Sequence, residues 1–220
     1  EQGVSLIITV DCGITAVEEA KLCRSLGIDL IITDHHECKT ELPEAVAVVN
    51  PHRHDSTYPF CHLAGVGVAF KVAAAVLGDQ QAVFREYCDL VALGTVADVM
   101  PLVSENRILV TAGIAAMQRS RRPGICALMH ECQIAPGSVT SSTVGYTLAP
   151  RINAAGRMGK VSLAAELFLT RDPAEAAQLA AHLCRLNRQR QTIEAEIYAD
   201  AAAMLEGVRN PDAIVLAGEN

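Results

Sequence analysis

Tryptophan is absent from the 220 residues and aromatics make up only 4%, so Ala, Val, Leu and Ile have to fill any core. No apolar run nears the roughly 18–20 residues that cross a bilayer. The opening EQGVSLIITV has neither the basic start nor the cleavage site of a secretory leader. These absences point away from a membrane protein and toward a cytoplasmic one. An excess of basic residues is missing too: 18 Lys and Arg face 25 Asp and Glu, a formal net charge of −7. No overall positive field recruits nucleic acid, so a nucleic-acid partner has to be held by a local patch. Eight cysteines occur, at 12, 23, 38, 61, 88, 126, 132 and 184, yet none forms a CxxC. Most sit in apolar or helical context, which reads as buried reduced thiols rather than a disulfide framework. Residue 1 is not Met, and the sequence reads as an internal piece of a longer protein.

What is present alternates. VSLIITV (4–10) is a β-branched apolar run, short enough for a strand buried on both faces. TAVEEAKLCRSLG (15–27) reads as a helix, with Ala16, Ala20 and Cys23 at helical spacing, Leu22 and Leu26 widening that side, and Gly27 as its stop. DLIITD (29–34) is a second strand and AVAVVN (45–50) a third. Strand, helix, strand within about 30 residues is a βαβ unit, so the expected class is α/β with a parallel sheet.

Residues 51–63 read as loop, and 66–77, 80–97, 104–119 and 123–132 as helices. The polar, Gly- and Ser-rich stretch 137–160 shows little periodicity and reads as loop, followed by a helix near 161–169. Asp172, Pro173 and Glu175 resemble a capping box, and no Gly or Pro follows until Gly207. A helix of that length exceeds domain norms and predicts a connector. The expected division is therefore a core over 1–171, a connector helix over 172–207 and the start of a second domain over 208–220. Arg185, Arg188 and Arg190, followed by Glu194 and Glu196, line the connector, either as a solvated face or as a stripe facing nucleic acid.

Two strands end in acid. Asp11 follows LIITV, and Asp34-His35-His36 follows LIIT. In a parallel sheet both ends emerge at the same carboxyl edge, where open α/β sheets bind ligands. Strands about 4.8 Å apart bring them within reach of one cation. Carboxylate oxygen with imidazole nitrogen suits Mn²⁺ or Mg²⁺ better than thiolate-seeking Zn²⁺. A third acid, Asp98, stands among apolar residues in LGTVADVMPL. Taken singly, Asp11 also reads as a helix N-terminal residue and the two histidines as surface polarity. Gly65 and Gly67 before a helix either admit phosphate to backbone amides or permit close helix packing. His52, His54, Cys61 and His62 share a loop but fit no familiar zinc spacing.

VDCGI, TDHHE, NPHRHDSTYPFCHLAGVGVAFK, ALGTVADVMPL and PRINAAGRMG resemble, in that order, motifs of the DHH phosphoesterases. The likeness spans essentially the whole chain and is strongest to the branch that degrades single-stranded DNA from the 5′ end. It implies a DHH phosphoesterase core and a two-cation mechanism using Mn²⁺ or Mg²⁺. It also implies that Asp11 bridges two cations, that His35 and Asp98 are direct ligands, and that His36 faces the scissile phosphate while Asp34 orients an imidazole. Arg151, Asn153 and Arg157 are implied contacts to the DNA backbone near its 5′ end. The setting it implies is DNA repair and recombination, as a monomer, with a helicase and a single-strand-binding protein as candidate partners. The alternatives are a DHH oligoribonuclease or small-nucleotide phosphatase, and a non-catalytic nucleic-acid-binding module. Family members also carry an earlier strand-end pair of aspartates, and no aspartate precedes Asp11 here. The expectation is that the 220 residues alone hold an incomplete, inactive site.

Overall fold

The computed structural model describes residues 3–135, 137–205 and 213–217. Three parallel strands lie in the order β1 (Leu6–Val10), β2 (Asp29–Thr33), β3 (Ala47–Val49). Val10 pairs with Thr33, and Thr33 with Val49, so all three strands end level with one another. Helix α1 (Val17–Ser25) crosses from β1 to β2. The class and the first three strands are as the sequence implied.

The sequence reading of β1 and α1 fails in one respect. β1 is an edge strand, and its Leu6, Ile8 and Val10 are exposed rather than buried on both faces. Leu22 and Leu26 do not join the inner side of α1 and lie in solvent; Ala20 is the buried contact. A small side chain suffices there because Leu30 and Ile32 of β2, the central strand, supply the buried volume of this cluster. The cysteines are all free thiols, as expected, but only Cys88 and Cys184 are buried, and Cys12 and Cys126 are exposed.

After the β3 loop the chain becomes helical: α2 (Gly65–Leu77), α3 (Gln80–Ala97), α4 (Ser104–Met117) and α5 (Pro123–Glu131). Gly78, in the left-handed conformation, closes α2, and the Asp79 carboxylate caps α3 by accepting from Ala82 N–H at 2.9 Å. The stretch read as loop over 137–160 is helical for most of its length. It contains a single turn α6 (Ser141–Thr143), a π-type turn at Val144–Leu148, and α7 (Ala149–Arg157). Thr140 and Thr143 cap its start reciprocally. Pro150 is tolerated in the first turn of α7, and Ala154 and Ala155 are wholly buried.

Helices α8 (Val161–Leu169) and α9 (Pro173–Met204) complete the described elements. Asp172 caps α9 through Ala174 N–H at 2.9 Å, and Glu175 accepts from the Thr170 hydroxyl rather than closing the box. At 32 residues the helix is about 48 Å long. Its first half contributes Ala176, Leu179, Ala180 and Leu183 to the largest core cluster, against α5, α7 and α8, whereas residues 191–200 are exposed throughout. Of the second-domain start expected over 208–220, only 213–217 are described, and they carry no regular secondary structure.

Candidate metal centre

Because the strands end level, the residues after them share one edge. Asp11 N–H donates to Thr33 O at 3.0 Å and Asp34 N–H to Val49 O at 3.0 Å, placing Asp11, Asp34 and Asn50 side by side. Asp11 has a φ of 65°, a left-handed conformation that Asp and Asn tolerate better than other side chains. Its carboxylate fills the space over the first residue of α2. A Cβ built on Gly65 would stand 2.1 Å from Asp11 Oδ1. Gly65 is therefore glycine because the acid occupies its side-chain volume. Gly67, the other glycine singled out, packs close to Leu63.

Asp34 is buried and works inward. Its Oδ2 accepts from Ile14 N–H at 2.9 Å, and its Oδ1 from His35 N–H at 2.7 Å, His36 N–H at 3.2 Å and the His36 ring at Nδ1, 2.7 Å. Burial pushes the Asp34 carboxyl up, but the bonds from Ile14, His36 and His35 outweigh it and hold the group below its ordinary value. The same contact with Asp34 raises His36 above its ordinary value. Donation from Nδ1 leaves His36 Nε2 free. This ring is exposed, and it lies 4.5 Å from the ring of His35.

His35 is the reverse case. It is buried, with Nε2 3.0 Å from Asp11 Oδ1 and 3.4 Å from Asp98 Oδ2, yet that nitrogen makes no hydrogen bond. An orphaned buried imidazole nitrogen aimed between two carboxylates is the donor set of a divalent cation site. Asp98 arrives as the C-terminal cap of α3, its N–H bonded to Gly94 O at 2.9 Å. Burial raises the Asp11 carboxyl, and the nearby Asp98 charge adds to this against the lowering effect of His35. Two acids sharing an imidazole call for a positive charge. Donor atoms of Asp11, His35 and His36 all fall within 4.8 Å of one another, and no other such group forms among the described residues. His36 thus stands within ligand range as well as facing outward.

The three expected nucleic-acid contacts separate. Asn153 lines a 390 Å³ cavity with Asp11, Asp98 and Phe168. Arg151 does not reach it. Its Nη1 donates to Thr147 O at 2.5 Å and its Nε is buried without a partner; the Cys184 thiol is held below its ordinary value first by Cys132 and then by this guanidinium. Arg157 is exposed at the end of α7 and does not line the cavity. The reason is helical spacing: in a loop 151 and 157 could bracket a phosphate, whereas on α7 the inward face takes Ala154 and Ala155 and carries Arg151 with it.

One contributor escaped the sequence reading. Asn50, buried at the end of β3, donates to His36 O at 2.9 Å and accepts from His52 N–H at 2.8 Å, fixing the backbone of the histidine pair. The strand-end logic applied to Asp11 and Asp34 identifies it equally well. Gly65 was singled out for phosphate approach or close packing, but its sequence setting did not show that the Asp11 carboxylate fills its side-chain space.

Residues 3–95 match the DHH family, N-terminal domain. The chain is 46% identical over 206 residues to the single-stranded-DNA-specific exonuclease RecJ of Bacillus subtilis, which covers 94% of this chain and 26% of that protein. It is 41% identical over 218 residues to RecJ of Escherichia coli, covering 93% of this chain and 38% of that protein. Among solved structures, RecJ of Thermus thermophilus in complex with Mn²⁺ is 37% identical with a TM-score of 0.78, over 93% of this chain and 30% of the other. A manganese-bound exonuclease RecJ reaches 0.79 at 37% identity, over 89% of this chain and 50% of the other. The chain thus spans well under half the length of the curated relatives it matches.

Proposed function

The chain belongs to the DHH family, and from that premise we propose that it forms part of the catalytic core of a metal-dependent exonuclease. The reaction is hydrolysis of single-stranded DNA from the 5′ end to mononucleotides, in DNA repair and recombination. The observation that carries the reading is the buried, unpartnered His35 Nε2 held between Asp11 and Asp98.

In this reading Asp11, His35 and Asp98 hold two divalent cations, Mn²⁺ or Mg²⁺, the ions bound in the RecJ structures it resembles. When bound, such a pair acidifies water and spreads the charge of the reacting phosphoryl group. The rest of the work falls to the protein. Burial fixes the His35 ring, so its nitrogen is placed before a cation arrives. Asp34 clamps His36 at Nδ1 and keeps its ring protonated to higher pH, so that Nε2–H is offered to a phosphate oxygen. Asn50 holds the backbone that carries both rings. Asn153 faces the same cavity and offers a neutral hydrogen bond to the strand.

The setting that goes with this reading is the cytoplasm, as a monomer, beside a helicase and a single-strand-binding protein. Among the described residues no helix is long and apolar enough to cross a membrane. Asp98→Asn and His35→Ala, made in the protein that contains this chain, test the assignment. Nucleotide release from 5′-labelled single strands with Mn²⁺ should fall by at least about a hundredfold for each. Binding of the same strand should stay within a few fold. Undiminished release from either variant would remove the metal role, and a preference for dinucleotides over long strands would favour the oligoribonuclease branch.

A further inference from the structure

Away from the strand ends lies a 720 Å³ concavity walled by five arginines, Arg85, Arg119, Arg121, Arg122 and Arg171. In a chain of net charge −7 such a gathering is conspicuous. Only Arg122 is engaged, with Asp89 at 3.3 Å, the Glu86 carbonyl at 2.7 Å and the face of Tyr87 at 5.8 Å. It takes up Glu86 and Asp89, the two acids of the basin. Arg85, Arg119, Arg121 and Arg171 are exposed, and among the described residues none makes an ion pair. Four unneutralised guanidiniums around one hollow repel one another, and a polyanion relieves that cost.

This basin adjoins the metal centre. Phe168 lines both it and the cavity that holds Asp11, Asp98 and Asn153. Helix α3 floors both hollows: Leu93, Gly94 and Ala97 lie toward Asp98, and Arg85, Glu86 and Asp89 lie beneath the basin. From Asp98 back to Arg85 the helix spans about 20 Å at ~1.5 Å per residue. A single strand whose bases are unstacked and splayed onto protein surfaces covers that distance in a few nucleotides.

We propose that this arginine basin receives phosphates of the single strand whose 5′ end lies at Asp11, His35 and Asp98, a few nucleotides from the scissile bond. The proposal rests on the exonuclease reading above. Guanidinium forks suit phosphate oxygens, and exposed Tyr87 with Phe168 gives bases aromatic surfaces to stack on. Continuity with the cleavage site and the aromatic wall favour a nucleic-acid strand over an acidic peptide.

The test is fluorescence anisotropy of fluorescein-labelled oligothymidylates of 2 and 12 nucleotides, with Ca²⁺ replacing the catalytic cation, on the protein containing this chain. Arg119→Glu/Arg121→Glu should raise the Kd for the 12-mer at least tenfold and leave the 2-mer within twofold. The slope of log Kd against log salt should fall by about 1.4, at ~0.7 per lost single-strand phosphate contact. Arg85→Gln/Arg171→Gln, carried on other elements, repeats the measurement should the first pair lower the melting temperature. Unchanged 12-mer binding overturns the proposal, as does equal weakening of both oligomers. So does a labelled Asp/Glu-rich peptide that binds the parent and is released by the variants while the 12-mer is unaffected; that result assigns the basin to a protein partner. If the parent protein neither binds nor degrades the 12-mer, the exonuclease reading itself has failed.

Discussion

At the scale of single residues, Gly65 and Gly67 look alike in the sequence and do different work. A methyl at Gly65 meets the Asp11 carboxylate, whereas one at Gly67 meets Leu63 at 3.2 Å in the core. Gly65→Ala should weaken Mn²⁺ binding tenfold or more, read by calorimetric titration, with little change in melting temperature. Gly67→Ala should do the opposite, costing about 1–3 kcal/mol of stability by overpacking. The Asp34–His36 contact gives a pH signature in the metal-free protein. His36 is raised above 6.5 in the fold, so its contribution is complete below pH 6.5 and is lost as pH climbs through the raised value. Urea midpoints taken with EDTA at pH 5.5 and 8.5 should therefore differ less in His36→Gln than in the parent. A parent and variant with the same pH dependence would mean that the contact is energetically silent. Asp11 and the Asp34-His35-His36 run were readable from sequence because the ends of parallel strands share one edge; Asp98, which caps a helix, was picked out by the resemblance of ALGTVADVMPL and not by any strand. The burial of His35 was not, since nothing in TDHHE says which imidazole turns inward.

Among the elements, α9 is two objects in one helix. Its docked half places Leu183 at full burial, and its outer half leaves Ile197 about half exposed. Leu183→Ala should cost ~2–5 kcal/mol through transfer and cavity terms, and Ile197→Ala no more than ~0.5 kcal/mol, by denaturant unfolding. Comparable losses would mean that the outer half is covered in solution. Pattern reading located α9, its cap and its start because Asp172-Pro173 is strong local chemistry. It missed α7 for a matching reason: PRINAAGR has a Pro at the start and a Gly near the end, both loop-like in isolation. Only burial of Ala154 and Ala155 in the largest core cluster stabilises that segment as a helix. Tertiary packing decided what propensity could not.

On the scale of the whole molecule, the sheet has an open side. Leu6, Ile8 and Val10 of β1, with Leu22 and Leu26 of α1, leave apolar surface in solvent. An exposed apolar edge strand is a template for pairing. The 220-residue chain should self-associate at roughly micromolar to millimolar concentration, and Ile8→Lys should suppress this in sedimentation velocity. A monodisperse parent across that range would contradict the expectation. The sequence reading buried β1 on both faces because five apolar or β-branched residues in a row look the same whether or not a neighbour covers them. Composition reports what a strand wants to touch and is silent on whether it is there. The unpacked half of α9 carries a last implication. A free-standing helix transmits orientation like a keyed shaft, each residue turning it by about 100° and lengthening it by ~1.5 Å. Two residues inserted near Ala199 would swing anything attached beyond it to the opposite side, while seven would return it almost to its original heading some 10 Å farther out.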